Sequence, residues 1–294
     1  MPVRRIAVEP ASRLAIWARR FAGFSLPVVA LAIVIERAGV LEIVPGLATF
    51  AAALAMALIA VLLALASLVG IWSRGIEGLG AAATALAIGI AMLAYPSYLA
   101  VKAYRLPMIS DITTDPIDPP RFETIARLRT RLANPVAYAG LYAAELQKSA
   151  YPDIVPLDTE ASPESAYNAT MAVITKRRWQ VINTRKPMPQ ERGQPARDGY
   201  IEAIARTPIM GFRDDIAVRI RAVGQGARVD VRSASRYGRT DFGVNAARVR
   251  TLLADVDDLA GNEKNDKPEA PARPVQKVVK QPPQKPERNQ PARR

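Results

Sequence analysis

The densest group of polar side chains in the sequence lies between residues 233 and 245, where a predicted strand ends and a predicted helix begins. It combines hydroxyl, guanidinium, carboxylate and amide groups: Ser233, Ser235, Arg236, Arg239, Asp241 and Asn245. The free N–H groups and the positive dipole end of a helix N-terminus favour an anion. Two guanidinium groups beside such an end can hold a phosphate or a carboxylate. The strip therefore predicts a site for an anionic ligand.

Three further residues extend this candidate site. Asp214 and Asp215 open a neighbouring predicted strand, and Arg232 directly precedes the strip. If these carboxylates lie close to the arginines of the strip, they act in acid–base chemistry or simply neutralise the arginines. Three interpretations stay open: structural ion pairing, an anion or lipid head-group site, and catalysis.

The chain contains neither cysteine nor histidine. This composition excludes zinc sites, thiol nucleophiles, Ser-His-Asp triads and haem ligation by these residues. The spacing of Asp111, Asp115 and Asp118 suits a hard cation such as calcium, but the surrounding prolines favour Asx turns in a linker. We therefore expect no cofactor, no metal and no catalytic residue.

The elements that must position the candidate site form the order helix, four strands, helix. Alternation of apolar and polar residues predicts strands over 179–181, 200–206, 216–222 and 227–233. One helix is predicted over 163–177 after the N-cap Ser162, and another from Asp241 or Gly243 onward. Residues 223–226 are typical of a hairpin turn. We predict a two-layer α+β domain in which helices pack on a four-stranded antiparallel sheet.

Three apolar stretches near the N-terminus predict a membrane anchor. Roughly 20 apolar residues span a hydrocarbon core, and the stretches cover about 14–35, 44–72 and 78–101. The predicted organisation is an anchor, an irregular linker with a short helix over 138–150, an α+β domain and a disordered basic tail: residues 1–105, 106–161, 162–260 and 261–294. The tail contains seven prolines and nine basic residues, and such a segment cannot offset its ordering entropy.

The distribution of charge predicts how the anchor is oriented. Lys and Arg outnumber Asp and Glu by 9 to 4 in residues 1–105, by 22 to 19 in 106–260 and by 9 to 4 in 261–294. Because the α+β domain is nearly balanced, nucleic acid is not an expected partner. Six basic residues flank the spans on the N-terminal side and three on the other: Arg4, Arg5, Arg13, Arg19, Arg20 and Arg74 against Arg37, Lys102 and Arg105. The positive-inside rule then predicts a cytoplasmic N-terminus and a periplasmic domain.

Several short segments after the anchor carry a family resemblance. They are residues 111–115, 151–154, 199–203, 211–215 and 228–236, followed by a closing motif of Gly238, Asp241, Gly243, Asn245, Ala246 and Arg248. Over about residues 108–260 the chain resembles the bacterial family called domain of unknown function 1499. Its three-span anchor is similar to that of some members. The resemblance supports the extent of the domain, and it brings no established activity, ligand or catalytic residue.

These features predict a non-enzymatic, multi-pass protein of the bacterial inner membrane whose periplasmic α+β domain serves binding or envelope maintenance. Its expected partners are the lipid membrane, an anionic envelope lipid or wall polymer, and a further protein. The alternative is a membrane-tethered hydrolase or transferase that acts on an anionic envelope substrate through Asp214, Asp215 and the strip 233–239. In a third arrangement the topology is reversed, and a cytoplasmic domain with a basic tail contacts the anionic inner leaflet or nucleic acid.

Overall fold

The computed structural model describes residues 11–189 and 195–266, and its first three elements are long helices. They are α1 (Arg13–Ala38), α2 (Ile43–Arg74) and α3 (Leu79–Arg105). Each is long and apolar enough to cross a membrane, which confirms the three predicted apolar helices. We refer to α1–α3 as the anchor.

Small side chains bring the anchor helices close together. The contact surface consists of fully buried alanines: Ala15, Ala18 and Ala22 of α1, Ala60 and Ala64 of α2, and Ala82 and Ala85 of α3. Small residues are typical of contacts between membrane helices, because packing rather than water exclusion drives their association. Some larger apolar side chains, among them Phe21, Leu63 and Leu86, pack around this contact, and many others on the same helices are exposed.

The remaining elements follow the anchor in chain order. They are β1 (Asp111–Thr113), a 3₁₀ helix (Ile125–Leu128), α4 (Leu141–Ala150), β2 (Leu157–Thr159), α5 (Pro163–Lys176), β3 (Gln180–Arg185), β4 (Gly199–Arg206), β5 (Arg213–Val223), β6 (Gly226–Ser235) and α6 (Val244–Asp266). The predicted cap of α5 is confirmed, since the Ser162 side chain accepts the N–H of Ser165. Of the tail predicted from residue 261, residues 267–294 lie outside the described residues, and α6 continues to Asp266.

The sheet has six antiparallel strands, so the predicted number of four is wrong. The order is β1-β6-β5-β4-β3, and β2 also pairs with β6. β1 and β2 share one edge of β6, where β1 lies opposite residues 232–234 and β2 opposite 227–229. Both are three residues long, too short to show a period-two pattern, and they lie in the segment that we expected to be an irregular linker. The four strands that alternation did predict form the rest of the sheet.

One face of the sheet packs against helices α5 and α6. Its core consists of aliphatic side chains from both layers: Ile201, Ile216, Val218, Ile220, Val229 and Val231 of the sheet, with Val173, Ile174, Val249, Leu252 and Val256 of the helices. These residues alternate along each strand and recur at helical spacing along each helix, as the sequence pattern predicts. We call this face the helix side.

The other face of the sheet, the outer face, is covered by the chain between β1 and α4. Phe122 and Ile125 of this covering segment pack on Tyr200, Ile204 and Ala217. As a result β4, β5 and β6 are buried on both faces, whereas the alternation predicted strands buried on one face only. The difference arises because the covering segment has no regular period of its own and gives no sequence signal.

The α+β domain contacts the end of the anchor through the turn between β4 and β5. Arg37, in the last turn of α1, donates through Nη1 to the carbonyl oxygens of Pro208 and Ile209, at 2.8 and 3.2 Å. In return Arg206 Nη1 donates to the carbonyl oxygen of Arg37 at 2.9 Å. Gly211 allows this close approach, because a Cβ added there would lie 2.9 Å from Arg37 Cγ. The domain thus lies on the side of the anchor where α1 ends and α2 begins.

Candidate functional site

Asp214 and Asp215, the two candidate carboxylates, lie on opposite faces of the sheet. They are consecutive residues of β5, in register with Ser235 and Ala234 of β6. Side chains alternate along a strand, so Asp214 points to the helix side and Asp215 to the outer face. Both are buried. The two carboxylates therefore cannot act together on one substrate, and each belongs to a separate cluster.

The helix-side cluster joins the end of β6 to the first turns of α6. Asp214 Oδ2 accepts a bond of 2.6 Å from Arg248 Nη2, and Arg248 Nη1 donates to Ser233 Oγ at 2.9 Å. The Ser233 hydroxyl donates to Asn245 Oδ1 at 2.7 Å. Asn245 Nδ2 donates to Ser235 Oγ at 2.9 Å. Every member of the helix-side cluster has a partner, and the Ser233 hydroxyl donates to an amide rather than to a carboxylate that could act as a base.

Asp241 caps α6 beside this cluster. Its carboxylate accepts the N–H of Gly243 at 3.0 Å and the N–H of Asn245 at 2.6 Å. Burial raises the pKa of Asp241 above its ordinary value, and the hydrogen bonds from Asn245 and Gly243 oppose that rise. The helix N-terminus on which the sequence placed an anion site is therefore occupied by a carboxylate of the chain itself.

The outer-face cluster surrounds Asp215. Arg129 Nε and Arg236 Nε each donate to one oxygen of this carboxylate at 2.8 Å. The side chains of both arginines are less than 5% exposed. Arg129 Nη1 also donates to the carbonyl oxygens of Asn134 and Pro135, at 2.8 Å each, whereas Arg129 Nη2 is buried and has no hydrogen-bond partner among the described residues. Burial raises the pKa of Asp215, and the two guanidinium groups oppose that rise.

Arg213 adds a third guanidinium group to the outer-face cluster. Within the described part of the chain it forms no salt bridge. Its charged neighbours are Arg206 and Arg236 together with the carboxylates of Asp215 and of Glu36 in α1. Burial and the repulsion from these two arginines lower the pKa of Arg213. The guanidinium lies against the backbone of Gly39, the C-cap residue that follows α1. The outer-face cluster is therefore electropositive and lies next to the end of the anchor.

Arg232 and the remaining charges of the outer face form structural pairs. Arg232 binds Asp111 through Nε and Nη2, at 3.0 and 2.7 Å, and its guanidinium lies 4.5 Å from the ring centroid of Phe122. Further along the sheet, two arginines share a buried aspartate: Arg219 and Arg221 both contact Asp230, and they also reach Asp115 and Asp118 of the covering segment. This network ties the covering segment to the sheet.

These ion pairs involve the three aspartates whose spacing in the sequence suits a calcium ion. The carboxylates of Asp111, Asp115 and Asp118 each contact an arginine, and Asp115 Oδ1 also accepts the backbone N–H of Asp118 at 3.0 Å. Within residues 11–189 and 195–266 no group of three or more acidic side chains is arranged to hold a metal ion. Their geometry is that of ion pairs between the covering segment and the sheet.

The structure therefore divides the candidate site residues into three sets. Asp214, Ser233, Ser235, Asp241 and Asn245 meet on the helix side, Asp215, Arg232 and Arg236 lie on the outer face, and Arg239 is exposed without a described contact. Sequence reasoning missed three arginines of the clusters. Arg248 follows Asn245 by three residues on α6, a spacing that places both on one helix face. Arg129 and Arg213 had no such signal.

Together these features define a class of protein: an α+β domain with buried ion pairs on both faces of its sheet, preceded by three helices suited to anchor it in a membrane. Residues 111–256 match the family model described as protein of unknown function (DUF1499), and the chain belongs to this family. The match extends from β1 into α6, in agreement with the resemblance found in the sequence. Neither a curated protein nor a solved structure matches the chain.

Proposed function

We propose that this chain is a non-enzymatic binding protein of the bacterial inner membrane that presents its α+β domain to the periplasm and binds an anionic lipid head group there, in the service of envelope maintenance. One observation carries the proposal: the outer-face cluster has three guanidinium groups around one carboxylate. Arg129, Arg213 and Arg236 surround Asp215, and Arg129 Nη2 is a buried donor without a described acceptor. A phosphate oxygen satisfies such donors and removes the excess positive charge.

The position of the cluster supports a lipid head group as the anion. Arg213 lies against Gly39 at the end of α1, and Arg206 binds the carbonyl oxygen of Arg37. If the anchor spans a membrane, this end of the helices lies at the level of the head groups. A lipid phosphate would then reach Arg213 without leaving the bilayer surface.

The non-enzymatic part of the proposal is supported by how the reactive side chains are used. Asp214 and Asp215 are separated by the sheet, and each is bound to arginine. Ser233 donates to an amide oxygen. A hydrolase or transferase would need one of these groups to be free of such partners and to lie next to a second group that activates it.

Hydrogen exchange with a head-group probe tests the binding site. The full chain in a neutral detergent is titrated with inorganic phosphate and with short-chain phosphatidylglycerol. We expect the peptides that cover residues 129–135 and 206–213 to become protected. Arg213→Gln should weaken the protection about tenfold. Because Arg213 forms no salt bridge among the described residues and interacts with Asp215 and Glu36 only at longer range, we expect the variant to fold.

Arg127→Gln is the matched control, since Arg127 is an exposed arginine of the covering segment and its replacement removes the same charge as Arg213→Gln. It should leave the titration unchanged. The proposed site is refuted if neither probe protects these peptides at millimolar concentration, or if both variants weaken the protection equally.

The orientation has its own test, which uses the absence of cysteine from the chain. Gln225 lies exposed in the hairpin between β5 and β6, and Ser73 lies exposed at the end of α2, on the other side of the anchor. Intact cells that carry Gln225→Cys or Ser73→Cys are treated with a maleimide that does not cross the inner membrane. Labelling of position 225 alone supports a periplasmic domain, and labelling of position 73 alone overturns it.

A further inference from the structure

A groove opens on the surface of the anchor between α1 and α2, at the end far from the α+β domain. Its volume is about 530 Å³, and apolar side chains line it almost completely, among them Trp17, Phe24, Pro27 and Met56. Gly23 forms part of its wall, and a Cβ added to Gly23 would meet no atom within 4 Å. The groove is thus open and lined for contact with a flexible apolar chain.

Arginines mark the rim of this groove. Arg19 and Arg20 contribute to its lining, and both are exposed. The Arg20 guanidinium lies 5.1 Å from the ring centroid of Trp17, which fixes it beside the groove. The first turn of α1 contains no acidic residue that would neutralise these charges. Among the described residues at this end of the anchor the acidic side chain is that of Glu77, in the turn between α2 and α3, whose backbone carbonyl accepts the N–H of Ser12 at 2.7 Å.

Along α1, the side chains that line the groove change from charged at Arg19 and Arg20 to apolar at Phe24 and Pro27. Pro27 follows Arg19 by eight residues, which corresponds to about 12 Å of helix. If the anchor spans a membrane, the arginines reach the head groups while Phe24, Pro27 and Met56 lie among the acyl chains. An amphiphile with an anionic head and an apolar chain matches this gradient, whereas a zwitterionic lipid offers the arginines no net charge.

We propose that the groove between α1 and α2 binds one anionic phospholipid, with its phosphate at Arg19 and Arg20 beside Trp17 and an acyl chain against Phe24, Pro27 and Met56. This site is separate from the outer-face cluster and does not depend on it. Basic pockets between membrane helices are a known way to recognise anionic head groups. Here the apolar cavity, the aromatic ring and the two arginines occur together on one surface.

Trp17 reports directly on the occupant of the groove. The full chain with Trp72→Phe and Trp179→Phe keeps Trp17 as its single tryptophan. It is reconstituted in nanodiscs that contain either brominated phosphatidylglycerol or brominated phosphatidylcholine at the same mole fraction. We expect phosphatidylglycerol to quench Trp17 with an apparent affinity at least about fivefold higher, the preference that one arginine near a membrane surface provides.

Two double variants separate a site from a general attraction to the surface. Arg19→Gln with Arg20→Gln should abolish the preference for phosphatidylglycerol. Arg13→Gln with Arg74→Gln removes the same charge from the same end of the anchor but leaves the groove intact, and it should keep the preference. Gly23→Leu, which fills open space, should reduce quenching by both lipids without disturbing the helix contacts.

Three results would overturn the proposal. The first is equal quenching of Trp17 by the two lipids in the parent chain, and the second is equal loss of the preference in the two double variants. The third is unchanged quenching in the Gly23→Leu variant. None of these results bears on the outer-face cluster, whose test follows peptides in the α+β domain.

Discussion

The buried acidic residues of the α+β domain are all held by strong hydrogen-bond donors. Asp214 binds Arg248, Asp215 binds Arg129 and Arg236, and Glu202 accepts three backbone N–H groups. A buried charge that keeps its partners contributes little net stability, but the loss of one partner leaves the other unpaired in an apolar environment. Substitution of these acids should therefore act first on folding.

The Asp214–Arg248 pair gives the most direct test of this argument. Asp214→Asn leaves the Arg248 guanidinium without a counter-charge while only 9% of its side chain is exposed, and we expect a loss of about 3–5 kcal/mol in the free energy of unfolding. Urea unfolding, followed by the fluorescence of Trp179 in a chain with Trp17→Phe and Trp72→Phe, measures it. Trp179 is the only tryptophan of the domain and packs against its core.

Asp158→Asn is the control for this experiment, because the Asp158–Arg228 pair is exposed and solvent screens it. Its unfolding midpoint should stay close to that of the parent. An Asp214→Asn variant that is as stable as the parent but loses a cellular phenotype would instead favour the hydrolase or transferase hypothesis.

The raised pKa of Asp241 predicts that the stability of the domain depends on pH. Because burial raises its pKa in the folded state, the native protein holds this proton more tightly than the unfolded chain does. The contribution of Asp241 to stability should therefore fall as the pH rises from 3.8, the ordinary value, to the raised value, and it should be constant above that. The difference in unfolding free energy between the parent chain and Asp241→Asn isolates this contribution.

The sign of the slope distinguishes this effect from ordinary acid denaturation. The Asp158 carboxyl has a lowered pKa, caused by its hydrogen bond with Arg228, so its contribution is present above 3.8 and is lost as the pH falls below that value. A difference between the parent and Asp241→Asn that does not change over pH 4–7 would contradict the raised pKa of Asp241.

At the scale of elements, the sequence predicted the strands and helices whose apolar residues recur at regular spacing, and it missed the segments without such a pattern. Alternation located β3–β6, and Ser162 located the start of α5, because both signals are local. β1 and β2 gained their conformation only by pairing with β6. The candidate carboxylates and hydroxyls lie on predicted strands and helices, so the sequence locates them. Their partners come from distant parts of the chain: Arg129 reaches Asp215 from the irregular covering segment, 86 residues away.

Glu202 shows what holds the covering segment on the sheet. Its fully buried carboxylate accepts the N–H groups of Glu123, Thr124 and Ile125, at 2.6, 2.9 and 3.4 Å. Glu202→Ala leaves these donors unpaired, which costs about 1–3 kcal/mol for each buried group, so the segment should open locally. We expect hydrogen exchange in residues 122–128 to become at least about tenfold faster, which corresponds to about 1.4 kcal/mol.

Glu202→Gln is the matched variant for this test. It keeps one acceptor oxygen and nearly the same volume, so its exchange rate in residues 122–128 should lie between those of the parent and the alanine variant. Peptides from α5, on the helix side, serve as an internal reference. If exchange rises equally in α5 and in the covering segment, Glu202 stabilises the whole domain rather than this segment.

At the scale of the whole molecule, both ends of the anchor carry arginines. The end far from the domain has Arg13, Arg19, Arg20 and Arg74. The near end has its own basic residues and gains further ones from the α+β domain, among them Arg206 and Arg213. Orientation is set during insertion by residues close to the spans, so the arginines of the folded domain do not alter the predicted bias. They do make the near end a second surface for anionic groups.

Arg37 connects the two parts of the molecule at this near end. Its guanidinium binds the turn between β4 and β5, and its carbonyl oxygen accepts from Arg206. Arg37→Ala removes the two side-chain bonds, and each such bond contributes about 0.5–1.5 kcal/mol. Residues 207–212 should therefore exchange their amide hydrogens several-fold faster, while the core strands of the domain remain protected.

Arg74→Ala is the control for the Arg37 variant, because Arg74 also lies in the last turn of a helix, α2, but at the opposite end of the anchor. Both variants lose one charge and one favourable interaction with a helix C-terminus, so only the contact with the domain differs between them. Exchange in residues 207–212 that is unchanged in Arg37→Ala, or equally faster in both variants, would mean that the domain moves independently of the anchor. In that case Arg213 would not be held at the head-group level, and the proposed head-group site would lose its link to the membrane surface.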